Sequence, residues 1–223
     1  MNTAKEPFQF VTASNLTCVE NHVANTINKL LEGLDQASDA AIFYHTFQTL
    51  GEHHFLTEGF SNDFAQWVLS AFNQPMLAER LASIDVRDYV SVAALRNDLK
   101  MITAEFCEQH PKDADQLALE PFYFCKAVQV TVPLTWEANT LAGFRAGLER
   151  LTHASFYHHF LASRLRLQLR TNDFSHWFSV ALGLDELADK ANRIDIYTNT
   201  LDSARAELIV LVEKEMTKKE ARA

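Results

Sequence analysis

The sequence predicts an all-α protein: an internally duplicated helical bundle with about five helices per half and room for a short strand at the start of each half. Two observations carry this. Glycine and proline number only 6 and 5 in 223 residues, too few for the turns that sandwiches and barrels need. Residues of one half also reappear in order in the other, and apolar side chains in both recur at helical spacing.

The repeat opens at Pro7-Phe8-Gln9-Phe10 against Pro121-Phe122-Tyr123-Phe124, an offset of 114. Ala24-Asn25-Thr26 and Gly33-Leu34 keep that offset. It becomes 113 where Tyr44, His45 and Phe47 are matched with Tyr157, His158 and Phe160. It is 110 at Asn62, Asp63 and Trp67 against Asn172, Asp173 and Trp177, and 109 at Arg96 and Arg205. Ordered matches with slow drift are what a tandem duplication with loop-length changes produces. The expected halves are 1–107 and 117–223, joined by 108–116 and packed as one pseudo-twofold unit.

Each half starts with an F-x-F alternation, which suits a short extended segment, and the two could pair. A first helix is expected over Val19–Gln36, with Val23, Ile27, Leu30, Leu31 and Leu34 on one stripe. The second helix carries Phe43 and Phe47. The third starts at Asn62-Asp63, whose short acceptor side chains suit an N-cap, and Asn172-Asp173 repeat the cap. Pro75 sits near the start of the fourth, and Gly183 marks a helix stop. Ser91 and Thr200 cap the fifth.

The paired strings YHxF and NDFxxW followed by L-A…I-D, with Ser163-Arg164-Leu165-Arg166, resemble an uncharacterised domain-of-unknown-function family of bacteria and archaea. The resemblance covers most of the chain in both copies. It implies the fold and the duplication, and it brings no activity.

Composition excludes several classes. The net charge is −9, and the whole of it falls on residues 1–116, with seven basic against sixteen acidic side chains. That argues against nucleic acid as partner, since such binding rests on neutralising phosphates. No apolar run approaches a membrane span. The start lacks the pattern of a secretory leader. Cys18, Cys107 and Cys125 form no C-x-x-C pair, which fits a reduced cytoplasmic protein. No phosphate-binding glycine loop, dinucleotide fingerprint or nucleophile elbow is present.

Nine histidines raise the question of metal. His45 and His53 lie eight positions apart, about 12 Å along a helix axis, too far for one ion. Arg166 and Leu167 stand where the first copy has His53 and His54, so a two-copy site would be asymmetric. The expectation is therefore no metal and no cofactor. Tyr44, His45, Asp63 and their counterparts Tyr157, His158 and Asp173 read first as structural, a core histidine bonded to a carboxylate or to backbone. An acid–base pair in a cleft is the sharper alternative. Trp67 and Trp177 read as core, with ligand stacking as the alternative. Arg164, Arg166 and Arg170 form the one dense basic cluster, suited to carboxylate or phosphate. The sequence thus points to a non-enzymatic binding or regulatory protein. It would take a small anionic ligand or a protein partner in a groove between the halves, near His45, His158, Arg164, Arg166, Tyr44 and Tyr157. Asn62, Asp63, Trp67, Asn172, Asp173 and Trp177 are the structural motif. The rival is an enzyme using His/Asp pairs, with or without the help of a metal, in the same groove.

Overall fold

The computed structural model describes residues 3–48, 60–195 and 199–220. His53 and His54, with Glu52 and Glu58 beside them, lie outside the described residues.

The all-α expectation is overturned. The chain carries two strands of 17 residues each, β1 (Phe8–Ala24) and β2 (Phe122–Ala138), hydrogen-bonded into one two-stranded sheet. Gln9 reaches the Leu134 carbonyl while Asn15 meets Gln129, so rising numbers on one strand meet falling numbers on the other and the pair is antiparallel. The reason lies in β-branched residues, of which the expected first helix takes in only Val19 and Val23. Val11, Thr12, Thr17, Val19 and Val23 in β1, and Val128, Val130, Thr131, Val132 and Thr135 in β2, fit a pleated ribbon better than a helix. The helix expected from Val19 begins only at Ile27, because Thr26 takes the N-cap and its side chain accepts the Lys29 amide. Pro133 is tolerated inside β2 because each strand of a two-stranded sheet has an open edge.

After β1 come α1 (Ile27–Gln36), α2 (Asp39–Phe43), α3 (Asp63–Phe72), α4 (Pro75–Ala82), α5 (Val92–Gln109) and α6 (Pro111–Ala114). After β2 come α7 (Leu141–Arg150), α8 (His153–Tyr157), α9 (Ser163–Arg166), α10 (Asp173–Val180), α11 (Asp185–Asn192) and α12 (Leu201–Glu220). Thr26 and Thr140 cap α1 and α7, and Ser38 and Thr152 cap α2 and α8. Asn62 and Asn172 cap α3 and α10. In every case a side-chain oxygen accepts an otherwise orphaned amide of the first turn. Among the described residues no helix is long and apolar enough to cross a membrane.

The chain forms two compact units. One holds Leu16–Val128 with Gln168–Arg170; the other holds Met1–Asn15, Gln129–Leu167 and Thr171–Ala223. Each therefore contains the opening residues of one strand and the closing residues of the other. In the 16–128 unit, α3 packs on α4, while α1, α2 and α4 pack on α5. Its aromatic centre is Phe122 and Phe124 against Phe64, with Trp67 beside Phe122. In the 129–223 unit, α10 packs on α11, while α7, α8 and α11 pack on α12. Its aromatic centre is Phe8 and Phe10 against Phe144, with Phe174 and Trp177 beside Phe8. Grouping by contact differs in kind from the halves 1–107 and 117–223, which are drawn by sequence similarity.

Two glycines admit these rings. A Cβ on Gly33 would stand 2.3 Å from the Phe124 ring, and a Cβ on Gly147 would stand 2.3 Å from Phe10. Gly143 has only ordinary neighbours, at 3.4 Å and beyond. Overpacking costs about 1–3 kcal/mol. Gly33→Ala and Gly147→Ala are each expected to lower the melting temperature accordingly in thermal unfolding. Gly143→Ala, which gains helix propensity, is expected to leave it level or raise it. Equal behaviour of all three would show that the rings do not sit against those two helices.

Candidate functional site

The segment after α2 and the segment after α8 each widen into a π-helical turn, Tyr44–Gln48 and His158–Ala162. Hydroxyls bond back along the chain there, Thr46 Oγ1 to the Ile42 carbonyl at 2.7 Å and Ser163 Oγ to the His159 carbonyl at 2.6 Å. Such turns insert one residue and re-aim the side chains that follow.

Each turn presents one buried imidazole. His45, 4% exposed, bonds Asp63 Oδ2 through Nδ1 at 2.8 Å, and its Nε2 accepts the Cys125 amide at 2.8 Å. His159, 3% exposed, bonds Asp173 Oδ2 through Nδ1 at 2.9 Å, and its Nε2 accepts the Val11 amide at 3.0 Å. An amide N–H can only donate, so Nε2 must hold the lone pair. The proton therefore sits at Nδ1, facing the carboxylate. Asp63 and Asp173 are the first residues of α3 and α10, where the helix dipole favours a negative charge. Burial works to raise the Asp173 pKa, yet the His159 hydrogen bond and the Arg166 guanidinium beside it hold it below the usual carboxylate value.

By this geometry the counterpart of His45 is His159, not His158. The two are 114 apart, the offset already set by the caps Thr26/Thr140 and Ser38/Thr152. The YHxF match slips by one residue because Tyr-His recurs one position early. Holding the cap offset constant would have found His159. The partners Cys125 and Val11 left no sequence signal, because they contribute only backbone amides.

His158 occupies the place of Tyr44. The Tyr44 hydroxyl meets Thr17 Oγ1 at 3.5 Å, whereas His158 Nδ1 meets Gln129 Oε1 at 2.8 Å. The Gln129 amide nitrogen in turn donates to Asn15 Oδ1 at 2.9 Å, so the amide oxygen faces the ring and His158 Nδ1 donates. Its Nε2 has no partner among the described residues. Burial first, then the neighbouring His159 and Arg166, outweigh the pull of Asp173 and push the His158 pKa down to about 4.

Arg166 pairs with Asp173 and is largely exposed. Arg164 is 5% exposed and donates from Nη2 to the Asn192 carbonyl at the end of α11, at 3.2 Å. Its Nε is buried without a partner, and burial lowers its pKa to about 10. A guanidinium at helix C-terminal carbonyls is a capping arrangement. Arg170 belongs to the 16–128 unit. Tyr157 is buried. The indole Nε1 groups of Trp67 and Trp177 donate to the Glu120 and Glu6 carbonyls at 2.9 and 2.8 Å, and both rings are buried.

One group can be tested as a metal site. Ligand atoms of His158, His159 and Asp173 lie within 4.8 Å of one another. The donor chemistry does not fit. A metal on His159 Nδ1 would expel the proton there, and a neutral imidazole would then carry it on Nε2, against the Val11 N–H. Arg166 also competes for the carboxylate.

A profile described as a family of unknown function, DUF5752, matches residues 5–213, and the chain belongs to that family. The structure of OrfY from Thermoproteus tenax is similar, with a TM-score of 0.82 and 29% identity over 95% of this chain and 96% of that one. No curated protein matches.

His45→Ala and His159→Ala each strand a buried amide and a carboxylate, at a cost of about 1–3 kcal/mol for the amide alone. Both are expected to lower the melting temperature clearly at pH 7, and His158→Ala less. His158 titrates with the opposite logic to a paired histidine. Its folded pKa is depressed, so the unfolded chain takes up this proton first as pH falls below 6.5, and the folded chain follows only near pH 4. Stability is thus withdrawn through that window. Replacing the ring by His158→Gln is expected to shrink the loss of melting temperature between pH 6.5 and 4, and an unchanged profile would refute the assignment.

Proposed function

We propose that this chain is a non-enzymatic binding or regulatory protein, and that His158 and Arg166 contact its ligand. One observation carries the reading: both buried His–Asp pairs spend their second ring nitrogen on a strand amide. An imidazole in that state has no lone pair for a substrate proton, which removes the acid–base pair that an enzyme of this kind would need. His158 keeps an unengaged Nε2, but a base with a pKa of about 4 accepts protons poorly at neutral pH. It serves better as a hydrogen-bond acceptor. With Arg166 beside it, the pair suits a small anion that also carries a hydroxyl donor. The tandem duplication belongs to the same proposal, supported by the matched caps and the matched imidazole clamps. It accounts for a pair of structural clamps of which, among the described residues, one copy bears a half-buried histidine beside an exposed arginine. A cytoplasmic setting is proposed as well, on the three free cysteines.

Native mass spectrometry of the protein purified without added metal or chelator tests this. A bound organic anion is expected, retained in EDTA and lost from Arg166→Ala and His158→Ala variants whose melting temperatures stay close to wild type. An extra mass removed by EDTA would replace the reading with a metal site, and an anion kept by both variants would move the contact elsewhere.

A further inference from the structure

We propose that the aromatic slot of each unit is a recognition site for an Ala-x-Glu-Pro-Phe-x-Phe strand, and that a second copy of this chain can fill it. The two strands that occupy slots read Ala4-Lys5-Glu6-Pro7-Phe8-Gln9-Phe10 and Ala118-Leu119-Glu120-Pro121-Phe122-Tyr123-Phe124. They are held in the same way. The Ala4 amide donates to the Asn139 carbonyl and the Ala118 amide to Asn25, each at 2.8 Å. The Trp177 indole donates to the Glu6 carbonyl and the Trp67 indole to Glu120. Both phenylalanines of each segment are buried, and the second lies over the glycine that leaves room for it, Gly147 or Gly33. The residue after the second phenylalanine gives its amide to the clamped imidazole, Val11 to His159 and Cys125 to His45.

The bonds go to backbone groups, so they fix an extended strand of any sequence; the two aromatic pockets and the glycine choose the sequence. This is the division of labour of strand-addition sites. In the 129–223 unit the occupant is the stretch up to Asn15, which residues 16–128 separate in sequence from the rest of that unit. The groups that bind it run from residue 129 to residue 181, with Gln129, Leu134 and Trp136 of β2 among them. A second copy carries the same segment and would make the same bonds, so exchange between copies costs little beyond the lost advantage of a tethered ligand. That advantage corresponds to an effective concentration on the order of millimolar for a short tether.

The slot is tested with the full-length Phe8→Ala/Phe10→Ala variant and a synthetic peptide of residues 3–15, followed by the fluorescence of the tryptophans. The peptide is expected to bind one to one and to raise the variant's melting temperature. The same peptide carrying Phe8→Ala should bind roughly a hundredfold more weakly or worse, as loss of one buried phenylalanine implies. The second copy is tested on the wild-type chain, which needs no variant to fold. Nitrogen-15-labelled and unlabelled protein are mixed at high concentration, warmed to a few degrees below melting and cooled. Native mass spectrometry is expected to show mixed-label dimers, reduced by excess wild-type peptide and unaffected by the Phe8→Ala peptide. No peptide binding by a folded variant would overturn the recognition site. Monomers only, or mixed dimers that ignore the peptide, would overturn the second copy as occupant.

Discussion

The fold depends on a buried imidazole held between a helix N-terminus and a strand. In each unit the ring takes its proton toward an aspartate that begins a helix, and turns its lone pair to an amide at the start of a strand. The constraint is strict because both ends are directional. Reversing the tautomer would set two N–H groups face to face in a buried site, with a penalty on the order of 1–3 kcal/mol per unsatisfied group. The clamp fixes where the strand enters. The strand position decides where the two phenylalanines land, and the phenylalanines form the aromatic centre on which the helices pack. Histidine at a π-turn, aspartate at a helix start and glycine in α1 or α7 are therefore parts of one arrangement.

Much of that arrangement could be read from residue types. The N-caps at Asn62, Asn172, Ser91 and Thr200 were legible because a cap is a local matter, decided by one side chain and the amides of one turn. Gly33 and Gly147 could be matched, though their purpose could not: nothing nearby in sequence announces that Phe124 and Phe10 will lie over them. The strands were only half visible. F-x-F marks their buried ends, but beyond Phe10 and Phe124 the ribbon is largely exposed on both faces, with Leu16, Val19, Val130 and Val132 outward. Strand prediction from alternation relies on one dry face, and this ribbon lacks one through its middle. Val19 and Val23 then fell in step with the true helix after Thr26 and lengthened it by about two turns.

The site shows a different limit. Tyr44-His45 and Tyr157-His158 are the better match letter by letter, yet the structural register is carried by His45 and His159. Sequence similarity scores side chains, whereas the clamp needs a ring at one point in space, and a second histidine beside the first hides the shift. Arg164 reads as part of the ligand-binding group because it belongs to the one dense basic cluster, with Arg166 and Arg170. Its burial and its bond to the Asn192 carbonyl place it at the end of a helix instead.

The one-residue slip also marks where the two units differ. Histidine suits the clamp position because its rigid ring offers a donor at one end and an acceptor at the other. The position before it is under no such demand. Tyr44 there reaches a threonine hydroxyl, and His158 reaches a glutamine amide. Among the described residues, the 129–223 unit alone holds a second imidazole with an open nitrogen and an arginine on the clamp aspartate. Aspartate that is already anchored by its histidine can share a charge with Arg166 and still hold the strand, so polar chemistry at the surface is coupled to the strand through a single carboxylate. A ligand that draws Arg166 away would leave Asp173 more basic, since that guanidinium is one of the groups holding its pKa down. The imidazole bond would remain as the principal stabiliser of the charge. On this reasoning binding at the arginine would alter the acid sensitivity of the clamp before it altered the fold.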